Sequence, residues 1–218
     1  QPAQWMLKER QRGEQHVVSA AVPALENAAD QAHVVIGRQP GASDGVINVD
    51  TNFLYRAEDV VWIDGIFSLC RTAIARGYKL VVITNQSGIG RGIYSQDDFD
   101  QLTVWIHAQF AARNVPLDAT YCCPFHPREG LGQYKREHED RKPSPGMLLR
   151  AARDLNLDLA QSILVGDRCT DIGAANNAGL RQAFLIAGTE DSPCPGNYIA
   201  IDSLAEAESW LTEHPIAS

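Results

Sequence analysis

The sequence has 218 residues, with 19 basic against 27 acidic side chains and a formal net charge of −8; at about 150 residues per domain, that length predicts one domain with room for a small insert. Apolar residues at 44% and charged residues at 21% argue against a disordered, collagenous or disulfide-framework chain and supply enough apolar material for a sizeable core. The acidic balance, with a pI near 5.2, argues against an extended surface for nucleic acid or an anionic membrane, but allows a local basic pocket for a phosphate.

The N-terminal stretch QPAQWMLKERQRGEQ is charged and lacks the hydrophobic centre of a signal peptide, and no apolar run approaches the roughly 18 residues of a membrane helix. A cytoplasmic monomer is expected. Residues 17–31 could form a helix interrupted at Pro23, and residues 33–37 (HVVIG) an edge or first strand that Arg38-Gln39-Pro40-Gly41 breaks. Residues 1–43 are therefore set apart as an atypical N-terminal segment.

From about Ile63 the pattern alternates helix and strand as in a parallel α/β sheet. Strands are predicted at 78–84, 119–123, 162–166 and 182–186; their continuous apolar character fits strands covered on both faces. Helix starts are predicted at Ser95 with Asp98, at Ser144 with Pro145 in the first helical position, at Thr170, and at Ser203 with Glu206 as a capping box. Residues 124–141 form a long polar loop of the kind that faces a substrate or wanders. Cys70, Cys122, Cys123, Cys169 and Cys194 show no regular disulfide spacing and are expected as reduced thiols, with adjacent Cys122 and Cys123 on opposite sides of a strand.

In such sheets ligands bind beyond the carboxyl ends of the strands, and two polar strand tails stand out: Thr84-Asn85-Gln86-Ser87-Gly88, and Gly166-Asp167 with Asp171 four residues on. With Asp44-Gly45-Val46-Ile47-Asn48 and Arg141-Lys142-Pro143, they give an order and spacing that resembles the haloacid dehalogenase (HAD) superfamily of phosphohydrolases. The phrases DGVINVD, WIDGI, VVITNQSGIGRG, YCCPFHP, RKPSPGM and VGDRCTDIGAANNAG are similar to the branch that holds the D-glycero-D-manno-heptose 1,7-bisphosphate 7-phosphatases and the histidinol-phosphate phosphatases. The resemblance runs from about Asp44 to about Gly188. It implies a HAD-like phosphatase domain over residues 44–218, built as a three-layer Rossmann-like α/β sandwich with a mainly parallel sheet and only a small loop cap.

A phosphate ester dianion repels an anionic nucleophile, so a divalent cation and fixed donors must neutralise the phosphoryl oxygens. Mg²⁺ suits that role because it prefers oxygen ligands and bridges carboxylate to phosphate. Asp167 is the expected metal ligand; Asp171 could hold a metal-bound water or orient Arg168. Thr84, Asn85, Gln86 and Ser87 offer hydroxyl and amide groups to the phosphate, and Lys142 offers a point charge. Arg141 could clamp a second phosphate or a sugar hydroxyl, Arg168 joins the phosphate-binding set, and Asp50 opens a segment that the resemblance places against the substrate. Asp44 corresponds to the family's general acid and base.

Two departures accompany the matches. The family motif reads Asp-x-Asp-Gly, its first Asp being the nucleophile; here the residues are Ala42-Ser43-Asp44-Gly45, and Ala42 has no group that can attack phosphorus. The apolar strand that should run into the motif is also lacking. In addition, many heptose bisphosphate phosphatases carry a Cys/His set suited to tetrahedral zinc, whose positions here hold Cys123, Phe125, His138 and Asp140. No structural zinc is expected, with a set shifted to include His126 left open. The resulting expectation is Mg²⁺-dependent hydrolysis of a phosphate monoester on a small phosphorylated metabolite, a sugar bisphosphate foremost. The alternatives are a non-catalytic phosphosugar-binding protein and a histidinol-phosphate phosphatase.

Overall fold

A computed structural model describes residues 18–19, 33–38, 46–47, 53–188 and 193–216. Its core is a seven-stranded sheet in the order β1-β4-β3-β2-β5-β6-β7. The strands are β1 (Val18–Ser19), β2 (His33–Arg38), β3 (Lys79–Asn85), β4 (Ala119–Cys123), β5 (Ile163–Gly166), β6 (Gln182–Ile186) and β7 (Ile199–Ile201). All neighbours are parallel except β1, which pairs antiparallel with β4. The four strands predicted downstream of Ile63 are present to within a residue, and β4 and β5 are buried along their whole length, as expected for strands with helices on both faces.

Among the described residues, five helices of two turns or more cover the sheet: α1 (Ile66–Ala75), α2 (Gln96–Ala111), α3 (Gly146–Leu155), α4 (Cys169–Ala178) and α5 (Leu204–Glu213). One face packs Leu69 and Ala73 of α1, Leu102, Ile106 and Phe110 of α2, and Leu204 and Leu211 of α5 against Leu80 and Val82 of β3. The other packs Met147 and Leu148 of α3 and Ile172 and Ala175 of α4 against Val81, Ile83 and Leu164. The result is the three-layer α/β sandwich.

The helix starts follow local chemistry. Ser95 caps α2 reciprocally, its Oγ accepting from Asp98 N at 3.1 Å and its N donating to Asp98 Oδ2 at 2.8 Å. Ser203 N donates to Glu206 Oε1 at 3.1 Å ahead of α5. The Ser144 and Thr170 starts need correction. α3 begins at Gly146, whose N donates back to Glu139 O at 3.0 Å, and α4 begins at Cys169, with Asp171 accepting from Arg168 N at 3.1 Å.

Three further expectations are corrected. Residues 33–38, expected as an edge or first strand, form the central strand β2 between β3 and β5, with His33 opposite Lys79 and Arg38 opposite Thr84; the apolar strand expected to be lacking ahead of Ala42 is therefore present, ending at Arg38. Parallel pairing on both sides outweighs the breaker residues, which fall just after the strand. Of the helix considered at 17–31, Val18–Ser19 is strand β1 and the remainder lies outside the described residues. The reduced state expected for all five cysteines holds only for Cys70, Cys122 and Cys123; Cys169 and Cys194 form a disulfide. The fold carries the segment ahead of β7 onto the first turn of α4 and brings their Cα atoms to 5.0 Å, within bridging range, a proximity that a separation of 25 residues does not announce. Cys122 and Cys123 do face opposite ways, the first packing with Ile89, Tyr94 and Phe99 and the second with Phe125 and Met147.

Candidate active site

The carboxyl ends of β3 and β5 lie on either side of β2, and the polar tails meet there. Thr84, Asn85, Gln86, Lys142, Asp167 and Asp171 are all buried. Gln86 Nε2 donates to Thr84 Oγ1 at 2.9 Å, and the Tyr94 hydroxyl donates to Gln86 Oε1. That relay fixes the Thr84 oxygen as an acceptor on one side and leaves its O–H to donate on the other. Asn85 grips the chain at Lys142 both ways, Nδ2 donating to Lys142 O at 3.2 Å and Oδ1 accepting from Lys142 N at 3.0 Å. Ser87 opens a single helical turn, Ser87–Gly90, directly behind this group.

Lys142 Nζ donates to Ile83 O at 3.3 Å and to Asp171 Oδ1 at 2.5 Å. Glycines on the neighbouring elements permit this approach. A Cβ on Gly166 would stand 2.3 Å from Asp171 Cβ, and one on Gly173 would stand 2.7 Å from Pro143 Cβ, which follows the cis Lys142-Pro143 bond. Asp171 Oδ2 is taken by the Arg168 backbone N–H, so both Asp171 oxygens have protein partners.

Asp167 differs. Neither carboxylate oxygen has a hydrogen-bond partner although both are buried, and Arg168 Nε approaches Oδ2 only to 3.6 Å. Burial pushes its carboxyl well above the usual carboxylate range and the Asp171 charge adds to that, while Lys142 and Arg168 oppose. A buried carboxyl at a strand end, both of its oxygens short of donors, fits a hard cation such as Mg²⁺, whose charge would favour the ionised form.

Of the other expected residues, Arg141 is half-buried, with Nη1 donating to Phe125 O at 2.9 Å, and burial lowers its pKa. Asp44 and Asp50, like Ala42, lie outside the described residues. Between Asp44 and Asp50, Val46 and Ile47 are buried in the core with Ile66, and Ile63 N donates to Ile47 O at 3.1 Å. Sequence reasoning missed Tyr94, which lies two residues beyond the VVITNQSGIGRG phrase and whose residue type alone says only that it packs.

The four positions of the family's zinc set do not fit that metal. Phe125 stacks face to face on His138, Asp140 pairs with Arg150 at 2.8 Å, and burial raises the Cys123 thiol to about 11. His126 Nδ1 accepts instead from Glu129 N at 3.0 Å. Among the described residues, no group of three or more His, Cys, Asp or Glu could hold a metal ion.

The HAD-hydrolase-like family model matches residues 140–207. The chain is 48% identical over 149 residues, 68% of its length and 79% of the relative's, to the D-glycero-alpha-D-manno-heptose-1,7-bisphosphate 7-phosphatase of Burkholderia mallei. It is 40% identical over 171 residues, 77% of its length and 92% of the relative's, to the D-glycero-beta-D-manno-heptose-1,7-bisphosphate 7-phosphatase of Vibrio cholerae. Among solved structures, a HAD-like phosphatase from Mesorhizobium loti superposes with a TM-score of 0.77 at 31% identity, over 92% of this chain and 93% of that one. The D,D-heptose 1,7-bisphosphate phosphatase of B. bronchiseptica, complexed with magnesium and phosphate, superposes with a TM-score of 0.69 at 25% identity, over 84% and 98%.

Proposed function

Because this chain belongs to the HAD-like phosphatases, in the branch of the heptose 1,7-bisphosphate 7-phosphatases, we propose that it takes a phosphate monoester of a small sugar, D-glycero-D-manno-heptose 1,7-bisphosphate foremost, at the carboxyl edge of β3 and β5. The observation that carries this reading is the buried, donor-poor carboxylate of Asp167 beside the Lys142–Asp171 pair. Asp167 would hold Mg²⁺, and when bound the ion neutralises phosphoryl oxygens and orients the ester. Thr84 donates its O–H to the phosphate, Asn85 fixes the chain at Lys142, and Lys142 places its charge beside the Thr84 strand. Asp171 acts through Lys142 and the Arg168 backbone. Arg168 adds its charge at the phosphate, Arg141 faces the rest of the sugar, and Ser87 and Gln86 stand behind the phosphate; Asp50 would contact the sugar and Asp44 would protonate the leaving oxygen, as the family resemblance implies. A phosphorylated substrate of this kind does not cross membranes unaided, which favours the cytoplasm; no described helix is long and apolar enough to span one.

Ala42 supplies no nucleophile, so hydrolysis is reduced to direct attack by water, and loss of a covalent nucleophile costs on the order of 10⁶ in rate in well-studied hydrolases. The position of β2 supports the same conclusion: the strand ends at Arg38, opposite Thr84, rather than in a carboxylate. This observation favours a second reading, retention of phosphosugar binding without turnover. Phosphate release from heptose 1,7-bisphosphate, histidinol phosphate and a chromogenic ester, with Mg²⁺ and with Asp167→Ala as the contamination control, tests both. Residual turnover with intact phosphate binding is expected; robust Mg²⁺-dependent turnover that the control abolishes would show that another group attacks phosphorus.

A further inference from the structure

The loop that delivers Arg141 and Lys142 is closed by side chains in addition to backbone hydrogen bonds such as His126 N to Tyr134 O at 3.0 Å. Phe125 near its start and His138 near its end stack with ring centres 4.1 Å apart and planes within 1°, and the Arg136 guanidinium lies 4.4 Å over the Phe125 ring. Next to them, Asp140, only 4% exposed, holds Arg150 Nη1 of α3 at 2.8 Å. The Arg150 guanidinium lies 5.1 Å over the ring of Tyr121 in β4, so the cation is fixed to the sheet and to a helix at once.

Asp140 has little freedom of its own. Its backbone N donates to His138 Nδ1 at 3.1 Å, and a Cβ on Gly146 would stand 2.7 Å from Asp140 Oδ1. Asp140 immediately precedes Arg141 and Lys142. Whatever holds its carboxylate therefore sets the backbone from which those two cations reach the phosphate edge.

We propose that Arg150 and Asp140 are positioning residues for the phosphate site, Arg150 serving as a built-in cation that closes the loop in place of any metal. The inference rests on the reading of Thr84 and Lys142 as the groups that meet the phosphate. Removing one partner of a buried pair leaves an uncompensated charge, which Asp140 relieves by moving, and a displacement near 1 Å at a binding group can cost up to about 10²-fold.

The test is calorimetric titration of inorganic phosphate, with Mg²⁺, into the full chain and its variants, each confirmed folded by circular dichroism. Arg150→Met is expected to weaken phosphate about tenfold, Arg150→Lys to restore most of the affinity, and Asp140→Asn/Arg150→Met to be no weaker than Arg150→Met, as one coupled unit requires. A zinc-selective chelator should leave every value unchanged. Wild-type affinity in Arg150→Met, alongside loss of binding in Thr84→Val, overturns the positioning role and leaves the phosphate site standing. Unchanged binding in Thr84→Val, or no saturable binding by the unmodified chain, overturns the site reading and this inference with it. If Arg150→Met does not fold, Asp140→Asn, which removes the anion of the pair with little change of shape, is read against the same tenfold expectation: a weakened site supports the positioning role and an unchanged one overturns it.

Discussion

At the scale of single residues, the site depends on charges that have no water to fall back on. The side chains of Lys142 and Asp171 are both fully buried, and such a pair is strongly destabilised by losing one member even where replacing both is tolerated. Lys142→Met is therefore expected to lower unfolding stability by about 3–5 kcal/mol, and Lys142→Met/Asp171→Leu by clearly less than the single change. Urea denaturation of both variants checks this; a single variant as stable as the parent would mean that Asp171 finds another cation or a proton at no cost. Thr84, Asn85, Asp167 and Asp171 stand out in the sequence because they belong to the polar tails of strand-like runs, and Lys142 because Arg141-Lys142-Pro143 resembles a phrase of the family. Tyr94 does not, because its role is a hydroxyl aimed at Gln86 across a turn, and its residue type alone says only that it packs.

At the scale of elements, α2 carries a pH-dependent contact with β4. His107 Nε2 lies 2.9 Å from Thr120 Oγ1, and burial depresses the imidazole from 6.5 to about 4. The folded chain keeps His107 neutral while the unfolded chain protonates it, so between those two values the unfolded state binds the extra proton and stability falls as pH falls. The loss reaches about 3 kcal/mol at 1.36 kcal/mol per unit. His107→Gln should flatten this part of the acid limb in urea titrations between pH 7.5 and 4.5; an unchanged slope would assign it to other groups. The same scale explains what the sequence concealed. The downstream strands are legible because burial on both faces leaves a continuous apolar run, whereas the central place of β2 depends on pairing with β3 and β5, which no local pattern in residues 33–38 reports. That placement bears on repair of the nucleophile: Ala42 comes four residues after the Arg38 strand end, so Ala42→Asp alone is expected to leave phosphate release at its residual rate. Substantial turnover by that single variant would mean that the chain after Arg38 folds back to the edge unaided.

At the scale of the whole molecule, the sheet is completed by a return segment that sequence spacing could not tie to anything. Cys194 reaches Cys169 at the start of α4, and further along that helix Asn176 Nδ2 donates to Asn197 O at 3.0 Å while its Oδ1 accepts from Asn197 N at 2.9 Å. The segment leading into β7 is thus held to α4 once covalently and once by a two-way amide grip. Closing a loop over a separation of 25 residues is worth about 3 kcal/mol through the restricted unfolded chain. Reduction should therefore lower stability by about that amount while the amide grip keeps the folded arrangement of β6, β7 and α4. Urea unfolding with and without a dithiol reductant measures the difference, and Cys169→Ser/Cys194→Ser should reproduce the reduced curve and ignore the reductant. Coincident curves for the oxidised and reduced parent would show that the two thiols are not bonded in solution, returning them to the reduced state that their spacing suggested.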